Sequence, residues 1–263
     1  MDLIDFFRFP AVSNSERRLF SLQDDDLRKC LVKTKNKNIK HEMMALFDSR
    51  VIYNNIQVEI IKELINTGNF SFSYMPYLDE VEGINQIDAA AEIGCKSIVF
   101  HPYLQKISRD RLSIVKMLSI YASKKGMFSC VCASYGSKDI FQYTPLEVVV
   151  TVAESIELPV VIVHGGGAKV LDALLIAESF PHVYLDTSFS LHYWLGSPIE
   201  NAFEFAIRKL GANRCMFGSD APFMNINETI EAHKLFCNRH EFSLTETHEF
   251  MYGTASKILG IRK

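Results

Sequence analysis

The chain has 263 residues, 48% of them hydrophobic and 22% charged, with 28 Lys+Arg against 31 Asp+Glu. That is too apolar for a disordered protein, and a net charge of −3 with a pI near 6.2 argues against nucleic-acid backbones or anionic membranes as partners. No apolar run reaches the roughly 18–20 residues of a spanning helix, and Met1 to Pro10 lacks the basic-then-apolar layout of a secretory signal, so the expected location is cytoplasmic.

Six scattered cysteines with no Cys-x-x-Cys pair do not form a disulfide framework, and a chain of this size can bury a core without one. Three signals then recur in order: a short run rich in β-formers, a polar or Gly/Pro break, and an apolar stripe at helical spacing. Leu3 to Phe9 reads as the first strand and Glu42 to Phe47 as the second, with residues 11–40 an irregular excursion between them. Val58 to Ile65 reads as a helix stopped at Gly68. Phe70 to Tyr74 is the third strand, followed by a helix over Val81 to Ile93. Lys96 to His101 is the fourth, and Arg111 to Lys124 carries a strong amphipathic pattern.

Met127 to Ala133 is the fifth strand, after which Thr144-Pro145 opens a helix to about residue 155. Pro159 to His164 is a nearly pure Val/Ile run, which implies burial on both faces, and Gly165-Gly166-Gly167 breaks it before a helix marked by Val170, Leu171, Leu174 and Leu175. Val183 to Thr187 and Cys215 to Ser219 are the last strands, with helices over Ile199 to Leu210, Asn227 to Phe236 and Thr245 to Tyr252. The pattern predicts an α/β fold, a single-domain (β/α)₈ TIM barrel over residues 1–263. The runner-up is an open doubly wound sheet.

In a closed barrel the chemistry sits at the carboxyl ends of the strands, so strand ends nominate site residues. These are Phe7, Phe9, His101, Cys132, Ser134, His164, Asp186, Ser188 and Asp220. His164 is either a capping imidazole or a functional one facing the mouth, and the glycines after it are either a sharp turn or a phosphate cradle. Asp220 could act as a general base or metal ligand, or serve as a turn or cap residue. His101, beside Pro102, suits a metal or a substrate carbonyl or carboxylate. Asp186, Thr187 and Ser188 read as supporting groups, His192 and Trp194 as pocket wall, and His41, His182, His233, His240 and His248 as solvated. Tyr103, Tyr135, Phe189, Trp194 and Phe223 add to an aromatic mouth suited to a flat or apolar ligand.

The segments Ile162-Val163-His164-Gly165-Gly166-Gly167, Tyr184-Leu185-Asp186-Thr187-Ser188, Phe217-Gly218-Ser219-Asp220-Ala221-Pro222-Phe223 and Tyr252-Gly253-Thr254-Ala255-Ser256-Lys257-Ile258-Leu259-Gly260 resemble the amidohydrolase-related family of metal-dependent TIM-barrel hydrolases and decarboxylases. The resemblance is good from about residue 94 onward and includes Phe100-His101-Pro102-Tyr103. It implies a first strand ending Asp-x-His-x-His, further histidines on the fifth and sixth strands, an Asp on the eighth, and a divalent metal, commonly zinc. His164 and Asp220 match the sixth- and eighth-strand positions, but Phe7 and Phe9 stand where two histidines belong and Cys132 where the fifth-strand His is expected.

A phenyl ring has no lone pair for a metal, so those two ligands are lost outright. The alternatives are a rearranged metal site of His101, Cys132, His164 and Asp220, or an apolar filling with Cys132 as a small buried residue and no metal. The resemblance thus implies a hydrolase or decarboxylase of a small carbonyl or carboxylate compound with an altered or missing metal centre, in which His101, His164 and Asp220 carry the chemistry. The other class is a non-catalytic barrel that binds a small ligand or partner protein. The oligomeric state is open, with a homodimer the form such barrels often take.

Overall fold

A computed structural model describes residues 1–10, 21–32, 38–134 and 138–261. Within these, β1 (Leu3–Arg8), β2 (Ile39–Leu46), β3 (Phe70–Tyr74), β4 (Ser97–Phe100), β5 (Phe128–Cys132), β6 (Val160–Val163), β7 (Val183–Asp186) and β8 (Cys215–Met216) lie in sequence order, each parallel to the next. This is the expected TIM barrel in one domain, and the sequential order removes the switch point that a doubly wound sheet would have.

Alternation along the strands divides the apolar residues between two cores. On β3, Phe70, Phe72 and Tyr74 pack outward against the helices, while on β5 Phe128, Cys130 and Cys132 join Met43, Ala45, Val161, Val163 and Met216 inside the ring. The register of β1 against β2 slips between Asp5 and Arg8, and the consecutive residues Phe6 and Phe7 both enter the inner core.

The ring is drawn together between β8 and β1. Phe6 N–H donates to Phe217 O at 3.2 Å, Phe9 N–H to Ala221 O at 2.8 Å and Asp220 N–H to Phe7 O at 2.8 Å. Beside them, the backbone N–H and hydroxyl of Ser219 donate to the two oxygens of Asp5 at 2.7 and 2.6 Å.

The outer layer comprises α1 (Asp24–Val32), α2 (Asn55–Asn66), α3 (Glu80–Ile93), α4 (Leu112–Lys124), α5 (Pro145–Ala153), α6 (Val170–Ser179), α7 (Ser190–Trp194), α8 (Pro198–Leu210), α9 (Ile226–Arg239), α10 (Leu244–His248) and α11 (Thr254–Leu259). Local signals set several boundaries: the Asn54 and Asp79 side chains accept N–H groups in the first turns of α2 and α3, and Gly94 ends α3 in the left-handed region.

Four expectations need correction. The excursion contains the helix α1, whose three first-turn aspartates complement the helix dipole; residues 11–20 and 33–37 of that excursion lie outside the described residues. β8 has only two residues, because the chain leaves the ladder to form the turn that carries Asp220. His164 does not end β6 but opens the turn after it. The helix expected over Thr245 to Tyr252 is helical only to His248 as α10, gives way to a π-turn over Glu249–Gly253, and is followed by α11 beyond the expected end. Among the described residues, no helix is long and apolar enough to cross a membrane.

Gly165, Gly166 and Gly167 are buried at φ of 57°, 81° and 55°. A Cβ on Gly165 would lie 3.0 Å from Phe203 of α8 and 3.3 Å from the Asp186 carbonyl. These glycines therefore make a sharp turn beneath α8, which favours the turn over the phosphate cradle. Gly68, also left-handed at φ 78°, has nothing within 4 Å of such an atom. Gly68→Ala is therefore expected to cost about 1 kcal/mol, from backbone strain alone. Gly165→Ala adds crowding and should cost about 2–4 kcal/mol. Urea denaturation of both variants measures the difference.

Candidate active site

The six-residue turn that follows β6 holds His164 at φ 67°, a conformation uncommon outside glycine. Its position is fixed from β7: the backbone N–H donates to Asp186 Oδ1 at 3.2 Å, and Nδ1 lies 3.0 Å from the Ser188 carbonyl. A carbonyl only accepts, so Nδ1 carries the proton and Nε2 presents a bare lone pair. Burial holds the ring neutral, with its pKa lowered to about 4. Asp186, Thr187 and Ser188 act as the supporting groups expected. Asp186 Oδ1 accepts from both the backbone N–H and the hydroxyl of Ser188, while Oδ2 is buried without a partner. Gly218 makes room for that carboxyl, since a Cβ there would sit 2.4 Å from Asp186 Oδ2.

Asp220 occupies the turn after β8, also at positive φ (58°) and only 7% exposed. Its backbone is pinned to Phe7, and its carboxyl accepts no hydrogen bond among the described residues. Burial, reinforced by the neighbouring carboxyls of Asp186 and Asp5, pushes it well above the usual range. Asp5 and Asp186 are both raised to about 7, chiefly by burial. The centre thus combines neutral imidazoles with three carboxyls whose ionisation burial disfavours.

A row of phenyl rings joins the two nominated histidines. Phe7 meets the His164 ring edge-on at 5.7 Å, Phe9 meets Phe7 at 5.5 Å, Phe47 meets Phe9 at 4.9 Å, and His101 meets Phe47 at 5.5 Å. Phe7 and Phe9 are 1% and 4% exposed, so they fill the axial space rather than line open pocket. His101 is buried with Nδ1 unpartnered and its pKa lowered to about 3, first by burial and then by His164. Gln105 clamps it, accepting the His101 N–H at 2.7 Å while its own amide donates to Pro76 O at 2.7 Å.

Other nominated residues divide among the rim, the inner core and the outer layer. Tyr103 packs edge-on against His101 at 4.2 Å, Phe223 against Phe9 at 5.5 Å, and Phe189 lies 6.2 Å from His164. Cys132 is buried in the inner core, its thiol driven well up by burial and then by Asp220, and Ser134 is half-buried beyond β5. Trp194 packs against the outer core and His192 hydrogen-bonds Thr229 of α9 at 3.1 Å, so both face the helical layer rather than the axial centre. Tyr135 lies outside the described residues.

Of the histidines expected in solvent, His41 and His233 are instead buried, and His182, His240 and His248 are half-buried. Strand and helix partners satisfy the buried pair: His41 bridges Gly68 O and Ser71 Oγ, and His233 bridges Thr229 O and Thr187 Oγ1. Sequence reasoning passed over Asp5, Phe47 and Gln105. Asp5 had a signal as the acidic start of the first-strand motif, and Phe47 ends a predicted strand; nothing marked Gln105.

The donors present do not fit a catalytic metal site. Two ring positions offer only phenyls, those rings pack against His164, and among the described residues no group of three or more His, Cys, Asp or Glu is arranged to hold a metal ion.

The amidohydrolase family profile matches residues 87–261, more than half the chain. The chain belongs to this family. None of the curated proteins matches it. Among solved structures, an uncharacterised TIM-barrel protein from Bordetella bronchiseptica is similar at 16% identity and a TM-score of 0.74, over 99% of both chains. A Pseudomonas putida protein assigned as a 2-pyrone-4,6-dicarboxylic acid hydrolase is similar at 16% identity and a TM-score of 0.69, over 100% of this chain and 98% of that one. A dihydroxybenzoic acid decarboxylase from Polaromonas sp. JS666, with bound manganese and the inhibitor 2-nitroresorcinol, gives 12% identity and a TM-score of 0.60, over 100% and 98%. At these identities the structural likeness is one of fold.

This centre makes two predictions. Asp186 ionises near 3.8 when unfolded and near 7 when folded, so it erodes stability as pH rises from about 4 to 7 and adds no further loss above that. Asp186→Asn should therefore gain stability relative to wild type across that window, on the order of 1.4 kcal/mol per pH unit at most; melting curves from pH 4 to 9 test this. Phe7→His with Phe9→His restores two imidazoles beside His164 and Asp220. The double variant should purify with about one zinc per chain, against far less in wild type, read by elemental analysis.

Proposed function

We propose that this amidohydrolase acts on a small carbonyl or carboxylate compound, as a hydrolase or decarboxylase, through a metal-independent acid–base pair of His164 and Asp220. The carrying observation is that both residues sit in left-handed backbone in the turns after β6 and β8, mostly buried, with no hydrogen-bond partner for His164 Nε2 or the Asp220 carboxyl among the described residues. Holding polar groups in strained backbone within a largely buried centre is costly, and that combination concentrates at working sites. The hydrolase and decarboxylase names of similar structures support the reaction class.

In hydrolysis, His164 Nε2 takes a proton from water as its oxygen bonds the substrate carbonyl carbon. Asp220 gives its carboxylic proton to the leaving atom as that bond breaks, and a proton passing from imidazolium to carboxylate resets the pair. Both groups start neutral, the forms their surroundings favour. His101, neutral beside the ring row, would orient the substrate's polar end.

The second reading, a barrel that binds without turnover, is favoured by the packing of Phe7, Phe9 and Phe47 into the axial space. The two part in one experiment: chelator-washed protein assayed against lactones, aryl esters and aromatic acids, with and without added zinc or manganese. The proposal expects turnover without metal that falls about 100-fold or more in His164→Asn and Asp220→Asn. Turnover only with metal overturns the metal-free pair, and binding without turnover establishes the second reading.

A further inference from the structure

Phe189 follows the Asp186–Ser188 segment that supports His164, and it opens α7 at φ 58° and ψ −60°. The Ser190 N–H donates to the Ser188 carbonyl across it, which makes the segment a γ-turn of the rare, strained form. A glycine takes positive φ freely, whereas a bulky aromatic residue there is a steric outlier. Strain of this kind persists only where the surroundings over-determine it, and it gathers at working sites. Here the surroundings are specific. The Tyr193 N–H donates to the Phe189 carbonyl at 2.9 Å and ties the turn into α7. The half-buried Phe189 ring stacks on the exposed Tyr193 ring, with centroids 5.1 Å apart and planes within 15°. It also meets the His164 imidazole at 6.2 Å and 75°, much as Phe7 does at 5.7 Å and 84°.

The turn decides where the Ser188 carbonyl points. That oxygen lies 3.0 Å from His164 Nδ1, and the Ser188 hydroxyl oxygen is also 3.0 Å from Nδ1. The hydroxyl gives its own proton to Asp186 Oδ1, so both Ser188 oxygens accept at Nδ1. The partner of one ring nitrogen sets the protonation of the other, and these two acceptors leave Nε2 bare. An imidazole released from them would return to the Nε2–H form that it favours in water.

We propose that Phe189 is a positioning residue for His164. Its left-handed turn aims the Ser188 oxygens at Nδ1, its ring braces the imidazole, and together they keep Nε2 as the nitrogen free for chemistry. The ring also holds the turn in place, because stacking on Tyr193 offsets a strain that a small residue would relieve by leaving positive φ. The consequence for turnover rests on the reading of His164 as the base; the consequence for the tautomer does not.

Nitrogen-15 NMR of histidine-labelled protein reads which ring nitrogen carries the proton, with the His164 signals identified by their loss in His164→Asn. Wild type is expected to show the Nδ1–H form. Phe189→Ala should make Nε2–H the major form and lower kcat for phenyl acetate hydrolysis about tenfold or more, with KM within about twofold. Phe189→Tyr, which keeps the ring, should keep the tautomer and roughly a third or more of kcat. A residue that merely packs would lower the melting temperature of the alanine variant and leave the tautomer and kcat of the folded protein unchanged. Should that variant fail to fold, Phe189→Leu decides by the same readings, since it fills space without a flat face to stack. An Nε2–H form in wild type, or Nδ1–H retained in the deciding variant, overturns the inference. A shifted tautomer with unchanged hydrolysis upholds the positioning and overturns His164 as the base. The NMR reading needs no substrate, so protein inert to phenyl acetate still decides the positioning.

Discussion

Everything at the mouth of this barrel depends on how β8 is tied back to β1. A sheet of eight strands in sequence order becomes a ring only if its ends meet, and β8 contributes just two residues of ladder. The junction rests instead on a few bonds between residues more than two hundred positions apart: Asp5 with Ser219, Phe7 with Asp220, Phe9 with Ala221. The same bonds aim the site. The backbone bond that pins Asp220 runs to the carbonyl of Phe7, whose ring packs on His164, so closure and placement of both polar groups are one event. Ordering such a seam is entropically expensive, and the buried Asp5 carboxyl at its heart, accepting two hydrogen bonds, makes it specific.

The electrostatic character of the centre follows from that dry closure. Burial raises both carboxyls, Asp5 and Asp186, to about 7, outweighing the Arg8 charge and the Ser219 hydrogen bonds that favour ionised Asp5 and the Ser188 and His164 hydrogen bonds that favour ionised Asp186. Imidazoles respond in the opposite sense and remain uncharged. Phe7 and Phe9, 1% and 4% exposed, strengthen the effect, because phenyl rings exclude water and supply neither charge nor lone pairs.

Much of this was legible in the sequence, for identifiable reasons. The barrel could be read because each strand is a short β-forming run closed by a Gly or Pro break and followed by a helical stripe, a pattern that needs no tertiary information. His101, His164 and Asp220 emerged because strand ends in a barrel converge. What escaped depended on neighbours distant in the chain. His41 and His233 look like solvated residues until partners from other elements, Ser71 and Gly68 for one and Thr187 for the other, satisfy both ring nitrogens. Trp194 and His192 follow a strand end but turn into the helical layer, a direction that sequence spacing does not encode. α1 was hidden because three aspartates read as solvent-exposed loop, although acidic residues at a helix start are stabilising.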